Sequence, residues 1–302
     1  MSAAAASRDL SSGGAARDAS IAAVVARARQ HLRHAGLAAV VADLDARLIA
    51  QHVLGWTTER FLSDVHSTAP EGFTAAYERL IGRRSAREPL AYIVGRREFW
   101  GLDIEVTPAV LVPRPETELL VEAALQFLSD RAGTAIIADA CTGSGCVAIA
   151  LACERPAATI VATDVSAAAL DVARVNTVRH GVANRVQLVR TDLLGGLAVP
   201  FDAIVANPPY VPFCDRSALQ PDVAHHEPAE ALFGGDDGMA VIARLVPQTP
   251  ALIRAGGRLM FEFGMGQDEP VADLIAGTPG LTLVELRSDL QGIPRVAIAQ
   301  RN

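Results

Sequence analysis

The sequence predicts an α/β fold in which a mostly parallel sheet follows a small bundle of helices. Residues 21–87 place apolar side chains at three- and four-residue spacing, the pattern of amphipathic helices. From Leu119 onward, short strand-like runs alternate with helical segments, which indicates a parallel sheet covered by helices. The last two strand-like runs leave no room for a helix between them, so the sheet is predicted to end with an antiparallel strand.

The composition favours a cytoplasmic protein without a membrane span or a metal site. The chain has 302 residues, a length that suggests two domains. Its net charge of −7 argues against stable nucleic-acid binding, because duplex binding depends on a positive surface. The four cysteines form no Cys-x-x-Cys pair and lie at no metal-ligand spacing from a histidine, so we interpret them as reduced thiols. No apolar run is long enough to cross a bilayer.

The first part of the chain predicts a tail followed by a helical domain. Residues 1–20 are rich in Ala, Ser and Gly and are predicted to be disordered. Residues 21–88 predict an N-terminal helical domain, with Gly55 ending its second helix and Pro89 lying beyond its third. The three predicted helices are IAAVVARARQHL, DLDARLIAQHVLG and FTAAYERLIGRRSARE.

Residues 89–112 predict a β-hairpin that links this domain to a second one, residues 113–302. The segment AYIVGRREFWGLDIEV alternates β-forming residues around Gly95 and Gly101. Beyond it, strands are predicted over AIIADA, TIVATD, RVQLVRTD, DAIVAN, GRLMFEFG, LTLVEL and RVAIAQ. Helices are predicted over CVAIALACE, AAALDVARVNTVRH, residues 239–253 and residues 269–275.

A glycine-rich loop follows the first strand of the second domain. In DACTGSGCVA, Gly143 and Gly145 permit a tight turn and a close approach of the backbone to a ligand, and the helix that follows offers free amides to it. Asp164 ends the next strand about 20 residues later, where an acid typically accepts the hydroxyls of a ribose. The spacing G-x-G-x-x-A also fits a dinucleotide site, so this loop alone leaves a nicotinamide or flavin enzyme open.

Two further acids end strands at the same edge of the predicted sheet. Asp139 lies at the end of the first strand and could orient an amine of the ligand or cap the following turn. Asp192 ends the third strand and could meet an adenine edge or cap a helix. The sequence leaves both alternatives open for each acid.

The segment Asn207-Pro208-Pro209-Tyr210 follows the fourth strand and overhangs the same crevice. Two consecutive prolines fix the backbone and remove two amide donors, which leaves carbonyl acceptors held in place. The Asn207 side-chain oxygen and the Pro208 carbonyl could accept the two hydrogens of a planar amino group, and Tyr210 could stack on that plane. A hydride-transfer enzyme has no use for such a clamp. An electrophile that reacts with an amino group and carries a ribose is S-adenosylmethionine.

Asn-Pro-Pro-Tyr resembles the amino-methyltransferases that modify adenine in DNA or glutamine amides in proteins. The segments EFWGLDIEVTPAVLVPRPETE, TGSGCVAIALA, ATDVS, HHEPAEALFGGDDGM and FEFGMGQ are similar in order and spacing to the glutamine methyltransferases of the HemK/PrmC type. This resemblance implies a Rossmann-like class I methyltransferase sheet with S-adenosylmethionine as cofactor. It implies as substrate the glutamine of the Gly-Gly-Gln motif in class I peptide chain release factors. The helical domain has no catalytic motif of its own, so we expect it to help to dock that protein.

The resemblance also implies roles for individual residues. Asn207, Pro208 and Tyr210 would be catalytic, and together with Pro209 they would hold the glutamine. Leu193 would lie against the adenine. With the acids at the strand ends included, the full set expected to bind the cofactor is Asp139, Cys141, Thr142, Gly143, Ser144, Gly145, Asp164, Asp192, Leu193 and Asn207.

One departure from the family pattern is Cys141, where the family usually has glycine. CTGSGC is more similar to a relative that methylates a glutamine of a large-subunit ribosomal protein. PRPETE, EFGMGQ and DLQGIPRVAIAQ are similar to the release-factor branch, which we favour. An adenine amino-methyltransferase acting on nucleic acid is the remaining alternative, and the acidic net charge argues against it.

Overall fold

The structure, a computed structural model, describes residues 19–129 and 133–302. The tail predicted over residues 1–20 lies outside the described residues except for its last two. The chain divides into two compact units, Met1–Ile93 and Val94–Asn302. Among the described residues, no helix combines the length and the apolar character needed to cross a membrane.

The first unit is helical. Its helices are α1 (Ile21–His34), α2 (Ala39–Leu54), α3 (Thr58–Asp64), α4 (Phe73–Ser85) and α5 (Leu90–Val94), whose last residue belongs to the second unit. Ser20 caps α1, and Gly55 ends α2 in the left-handed conformation, as predicted. Helix α3 was not predicted, because seven residues are too few to show the repeating spacing of apolar side chains. The feature of the sequence that marks its start is Thr57, the N-cap residue.

A buried apolar core with two polar contacts holds these helices together. Ile21, Leu32 and Ile49 are fully buried. The buried Tyr77 hydroxyl donates to the carbonyl of Ala46 at 2.8 Å. A buried ion pair joins Arg84 to Asp45 at 2.6 Å. Removing one partner of such a pair would leave an uncompensated buried charge, at a cost of about 3–5 kcal/mol.

The hairpin is shorter than the interval 89–112 that the sequence predicts for it. Its antiparallel strands are β1 (Arg96–Phe99) and β2 (Leu102–Glu105). The apolar run before them forms α5 instead of a strand, because the Pro89 carbonyl accepts the amides of Tyr92 and Ile93 and so begins a helical turn. A short apolar run fits a buried helix as well as a strand, which explains the difference.

The second unit contains a seven-stranded sheet in the order β5-β4-β3-β6-β7-β9-β8. β9 runs antiparallel to the two strands beside it, β7 and the edge strand β8. The predicted mostly parallel sheet with an antiparallel strand is therefore confirmed. The strands are β3 (Ile136–Ala140), β4 (Thr159–Asp164), β5 (Val186–Arg190), β6 (Phe201–Ala206), β7 (Ile253–Glu262), β8 (Leu281–Ser288) and β9 (Pro294–Arg301).

Helices connect and cover these strands. They are α6 (Glu118–Ser129), α7 (Cys146–Glu154), α8 (Ala167–Arg179), α9 (Pro221–His226), α10 (Ala229–Leu232), α11 (Ala240–Leu245) and α12 (Asp268–Ala276). The helix predicted over residues 239–253 is shorter in the structure. It ends at Leu245, and residues 246–251 form a 3-10 helix that contains two prolines, which cannot donate to a helical ladder.

The strand order places the candidate site. β3 and β6 are parallel neighbours, with Ala140 paired to Ala206. The chain turns from β3 toward β4 on one side of the sheet and enters β6 from the other, so a crevice opens at the carboxyl ends of these strands. The glycine loop and Asn207 both leave the sheet at this point.

Candidate active site

A cavity of about 370 Å³ lies at the carboxyl ends of β3, β4 and β6. Three of the predicted site residues, Gly145, Pro208 and Tyr210, do not line it. The predicted residues that line it are Asp139, Cys141, Thr142, Gly143, Ser144, Asp164, Asp192, Leu193, Asn207 and Pro209. The structure thus gathers most of the predicted cofactor set around one cavity, with the Asn-Pro-Pro-Tyr segment at its wall.

Hydrogen bonds fix the glycine loop between β3 and β4. The Thr142 amide donates to the carbonyl of Thr163 at 2.9 Å, and the Thr142 hydroxyl donates to Asp139 Oδ2 at 2.6 Å. The Gly143 amide donates to Asp164 Oδ2 at 2.9 Å. A Cβ on Gly145 would lie 3.2 Å from the Cβ of Ala173, so this glycine serves the close packing of α7 on α8.

Two residues without glycine's freedom adopt left-handed backbone conformations at the cavity. Cys141 has φ +58° and Leu193 has φ +52°. This region is unfavourable for residues that carry a Cβ, and such strain concentrates at functional sites. The usual glycine of the family at position 141 would adopt the same conformation without that cost.

The acids at the strand ends are buried, and burial changes their ionisation. Burial raises the pKa of Asp139 to about 7, although the bond from Thr142 opposes the change. Burial also raises the pKa of Asp164, against the amides of Ser166 and Gly143 that donate to its two oxygens at 2.9 Å each. Both carboxyls face the cavity, and each keeps further acceptor capacity.

The third strand-end acid is held differently. Asp192 is exposed at the cavity mouth and forms an ion pair with Arg244 of α11. Leu193 is buried, and its carbonyl accepts the hydroxyl of Thr163 at 2.7 Å. Asp192 therefore caps no helix through its carboxylate in this structure; it joins the rim of the cavity to α11.

A chain of side-chain hydrogen bonds runs from Asn207 into the core. Asn207 Nδ2 donates to Thr117 Oγ1 at 3.0 Å, and the Thr117 hydroxyl donates to Glu262 Oε2 at 2.7 Å. The Tyr210 hydroxyl donates to the other oxygen, Glu262 Oε1, at 2.8 Å. Thr117 and Glu262 are buried. We call these four residues the Asn207–Glu262 network.

Sequence reasoning did not predict the inner half of this network. Thr117 lies in the PRPETE segment, which the resemblance used only as a motif. Glu262 ends the buried strand β7, and a carboxylate directly after the apolar run of residues 259–261 was the available signal.

Gln267 and residues 234–238 contact the Asn-Pro-Pro-Tyr segment and hold it in place. Gln267 Nε2 donates to the carbonyl of Tyr210 at 2.9 Å, while Gln267 Oε1 accepts the Gly264 amide at 2.8 Å. A Cβ on Gly238 would overlap the Tyr210 carbonyl. The segment is therefore held in close contact with residues 234–238, which belong to the GGDDGM motif.

An ion pair closes one side of the cavity. Arg114 contacts Glu227 at 2.6 Å, and the buried Glu227 also accepts the amide of Val112 at 3.3 Å. Arg114, Pro228 and Ala231 line the cavity. The contact joins the segment before α6 to the HHEPAE segment, a pairing that the sequence did not predict.

Known protein families match both the helical part and the sheet part of the chain. The PrmC N-terminal domain family matches residues 23–95, and the methyltransferase small domain family matches residues 116–232. A methyltransferase from Pyrococcus furiosus has the same fold, with a TM-score of 0.51 at 19% identity over 72% of this chain and 98% of that one.

Relatives that match most of this chain identify its family more closely. A release factor glutamine methyltransferase of Rhodospirillum rubrum is 42% identical over 85% of this chain and 78% of its own length. Another, of Nitratidesulfovibrio vulgaris, is 40% identical over 90% of this chain and 94% of its own length. The predicted resemblance is confirmed: the chain is a methyltransferase and belongs to the family of release factor glutamine methyltransferases.

Proposed function

We propose that this protein transfers a methyl group from S-adenosylmethionine to the side-chain amide nitrogen of the glutamine in the Gly-Gly-Gln motif of class I peptide chain release factors. The observation that carries the proposal is the Asn207 amide at the wall of the cavity. Its Nδ2 is engaged by Thr117, which leaves Oδ1 as an acceptor for an amide hydrogen. Because release factors act on ribosomes, the proposal assigns the protein to the cytoplasm.

The residues around the cavity suit S-adenosylmethionine. The volume of about 370 Å³ lies within the range of about 300–1,000 Å³ typical of small-molecule sites. Asp164 offers acceptors for the ribose hydroxyls, and Asp139 offers one for the amino group of the methionine part. A Cβ on Gly143 would stand in open space, so the glycine leaves room for a ligand against the backbone. When bound, the cofactor supplies an electrophilic methyl group.

Asn207 and Pro208 orient the substrate nitrogen. The Asn207 side-chain oxygen and the Pro208 carbonyl each accept one hydrogen of the glutamine amide, and the two prolines keep these acceptors in place. Such positioning can supply about 7–11 kcal/mol of the barrier. The methylated amide carries an excess proton and is acidic enough to lose it to water, so no side-chain base is required.

Tyr210 holds the plane of the amide. Its hydroxyl donates to Glu262 and its carbonyl accepts from Gln267, so both ends of the residue are anchored. An anchored ring offers a flat apolar face for the carboxamide. Pro209, the residue before this tyrosine, lines the cavity.

The decisive experiment identifies the methylated protein. The purified chain is incubated with labelled S-adenosylmethionine and, in separate samples, with a class I release factor or with large-subunit ribosomal proteins. We expect one added methyl, located by mass spectrometry on the glutamine of the Gly-Gly-Gln motif. Methylation of a ribosomal protein with an untouched release factor would overturn the proposed substrate.

A variant tests the residue assignment in the same assay. Asn207→Ala removes the acceptor and is expected to abolish methylation while calorimetry still detects cofactor binding. An Asn207→Ala enzyme that methylates the release factor at the normal rate would contradict the clamp.

A further inference from the structure

We propose that Glu262 and Thr117 are positioning residues for methyl transfer, because together they set which atom of the Asn207 amide faces the substrate. The inference rests on the proposed function and deepens it. It assigns a role to two side chains outside the Asn-Pro-Pro-Tyr motif.

The sheet register brings these side chains together. Ala206 of β6 pairs with Phe261 of β7, so Asn207 and Glu262 follow directly after paired residues on neighbouring strands. Thr117 lies in the 3-10 helix that precedes α6 and stands between them. Glu262 is 1% exposed and Thr117 is 2% exposed, so water does not compete for their hydrogen bonds.

The direction of each hydrogen bond follows from the donors available. In its ionised form the Glu262 carboxylate can only accept, so the hydroxyls of Thr117 and Tyr210 both donate to it. A threonine hydroxyl has one proton, and Thr117 has already used it. Its oxygen can then only accept, and the group that donates to it from Asn207 must be the amide nitrogen.

These hydrogen bonds give the nitrogen and the oxygen of the Asn207 amide different roles. Nδ2 is bound by Thr117, and Oδ1 remains as the acceptor that the glutamine nitrogen requires. A rotated amide would present donors to a group that itself donates, and the clamp would repel its substrate. Glu262 thus selects the productive rotamer across one intervening hydroxyl, and the same carboxylate fixes Tyr210.

The test compares two substitutions of Thr117 in the full-length enzyme. Thr117→Val keeps the shape of the side chain but removes the hydroxyl, and we expect kcat on the release factor to fall by about 100-fold, the size of effect seen when one aligned hydrogen-bonding group is lost. Thr117→Ser restores the hydroxyl and is expected to recover kcat to within about threefold of the wild type. Cofactor affinity, measured by calorimetry, should change little in both variants.

A matched control separates this effect from the cost of changing any buried threonine. Thr249 is also buried, and its hydroxyl donates to the carbonyl of Val246 at 2.8 Å, away from the cavity. Thr249→Val should leave kcat at the wild-type value. The inference is overturned if Thr117→Val keeps wild-type kcat, or if Thr117→Ser is as impaired as Thr117→Val.

Glu262→Gln provides an independent measurement if Thr117→Val does not fold. We expect it to lower kcat as well. Where Thr117→Val does fold, the double variant Thr117→Val/Glu262→Gln should be no slower than the worse single variant, since both act on one amide. Wild-type kcat in Glu262→Gln, or additive losses in the double variant, would refute the inference. A wild-type enzyme that binds the cofactor but leaves the release factor unmethylated would instead refute the proposed function.

Discussion

At the scale of the residue, Asp139 combines burial with a place on the cavity wall. Its pKa is raised from 3.8 to about 7, so in the folded protein the carboxyl is largely neutral below that pH. Between about pH 4 and pH 7 the folded state binds a proton that the unfolded state has lost. The burial of Asp139 therefore lowers stability progressively as the pH rises through this window.

This ionisation predicts a pH dependence for cofactor binding. An ionised Asp139 is required to pair with a positive amino group, so the affinity for S-adenosylmethionine should rise between about pH 6 and pH 8, and binding near pH 6.5 should release a proton. Calorimetry in buffers of different ionisation enthalpy measures that proton directly. Asp139→Asn should bind more weakly at pH 8 and lose most of the dependence. A wild-type affinity that is constant across this range would exclude the pairing.

The backbone at Cys141 gives a second prediction at this scale. The left-handed conformation costs a residue with a Cβ about 1–2 kcal/mol, whereas glycine adopts it freely but loses about 0.5–1 kcal/mol through the unfolded chain. We expect Cys141→Gly to raise the free energy of unfolding by up to about 1 kcal/mol, as measured by urea denaturation.

Cys146→Gly is the matched control for this change. It removes a buried thiol from α7, where a glycine gains nothing and weakens the helix. We expect a clear loss of stability in this variant. Equal losses in both variants would show that Cys141 is not strained.

Residue types in local motifs were predictable, and their partners were not. The glycine loop, Asp164 and Asn207 lie in short segments whose chemistry can be derived from the sequence. Thr117 and Glu262 are 145 positions apart, and their contact depends on the register of β6 against β7 and on the 3-10 helix before α6. The spacing of apolar residues along the sequence predicts neither the strand register nor this 3-10 helix.

At the scale of the element, the support of the Asn-Pro-Pro-Tyr segment by residues 234–238 is the consequential feature. Gly238 has φ +78°, and its missing side chain admits the carbonyl of Tyr210. The same carbonyl is bound by Gln267. A shift of this support would move the tyrosine and both proline carbonyls together.

Gly238→Ala is therefore expected to impair catalysis without abolishing cofactor binding. The added methyl overlaps backbone that cannot move without displacing Tyr210, and displacement of a positioned group by about 1 Å can cost about 100-fold in rate. Gly181→Ala is the control: Gly181 has φ +68°, but its Cβ would meet nothing within 4 Å. If both variants lose the same fraction of kcat, backbone strain and not the contact with Tyr210 is responsible.

Predicted elements differ from observed ones where two physical signals compete. TIVATD and CVAIALACE coincide with β4 and α7, because the centre of each run is apolar and its residues are mostly buried. The run before Gly95 forms α5, because hydrogen bonds to the Pro89 carbonyl stabilise a helical turn there despite the β-forming side chains. The helix predicted to reach residue 253 stopped early at its prolines.

At the scale of the whole molecule, we expect the helical unit to dock the protein substrate and the sheet unit to bind the cofactor and carry out methyl transfer. The cavity and the Asn207–Glu262 network lie entirely in the second unit. None of the described residues of the first unit lines the cavity or belongs to the network, and a role of this unit in docking the protein substrate stays a prediction.

Removal of residues up to Arg87 tests this division. We expect methylation of the intact release factor to fall far more than the affinity for S-adenosylmethionine, because the cavity lies in the second unit and docking is predicted for the first. A short peptide containing Gly-Gly-Gln serves as the control substrate, and its methylation should change less. Equal loss of cofactor affinity and methylation would argue against a docking role.

The position of β9 has a consequence for how the protein is made. β9 is the last strand of the chain, yet it lies inside the sheet, and residues 296–299 are buried there. In a nascent chain the helices of the first unit are made before the sheet, and the sheet cannot close until β9 has emerged. A stop codon before β9 would therefore leave β7 and β8 without the strand that lies between them.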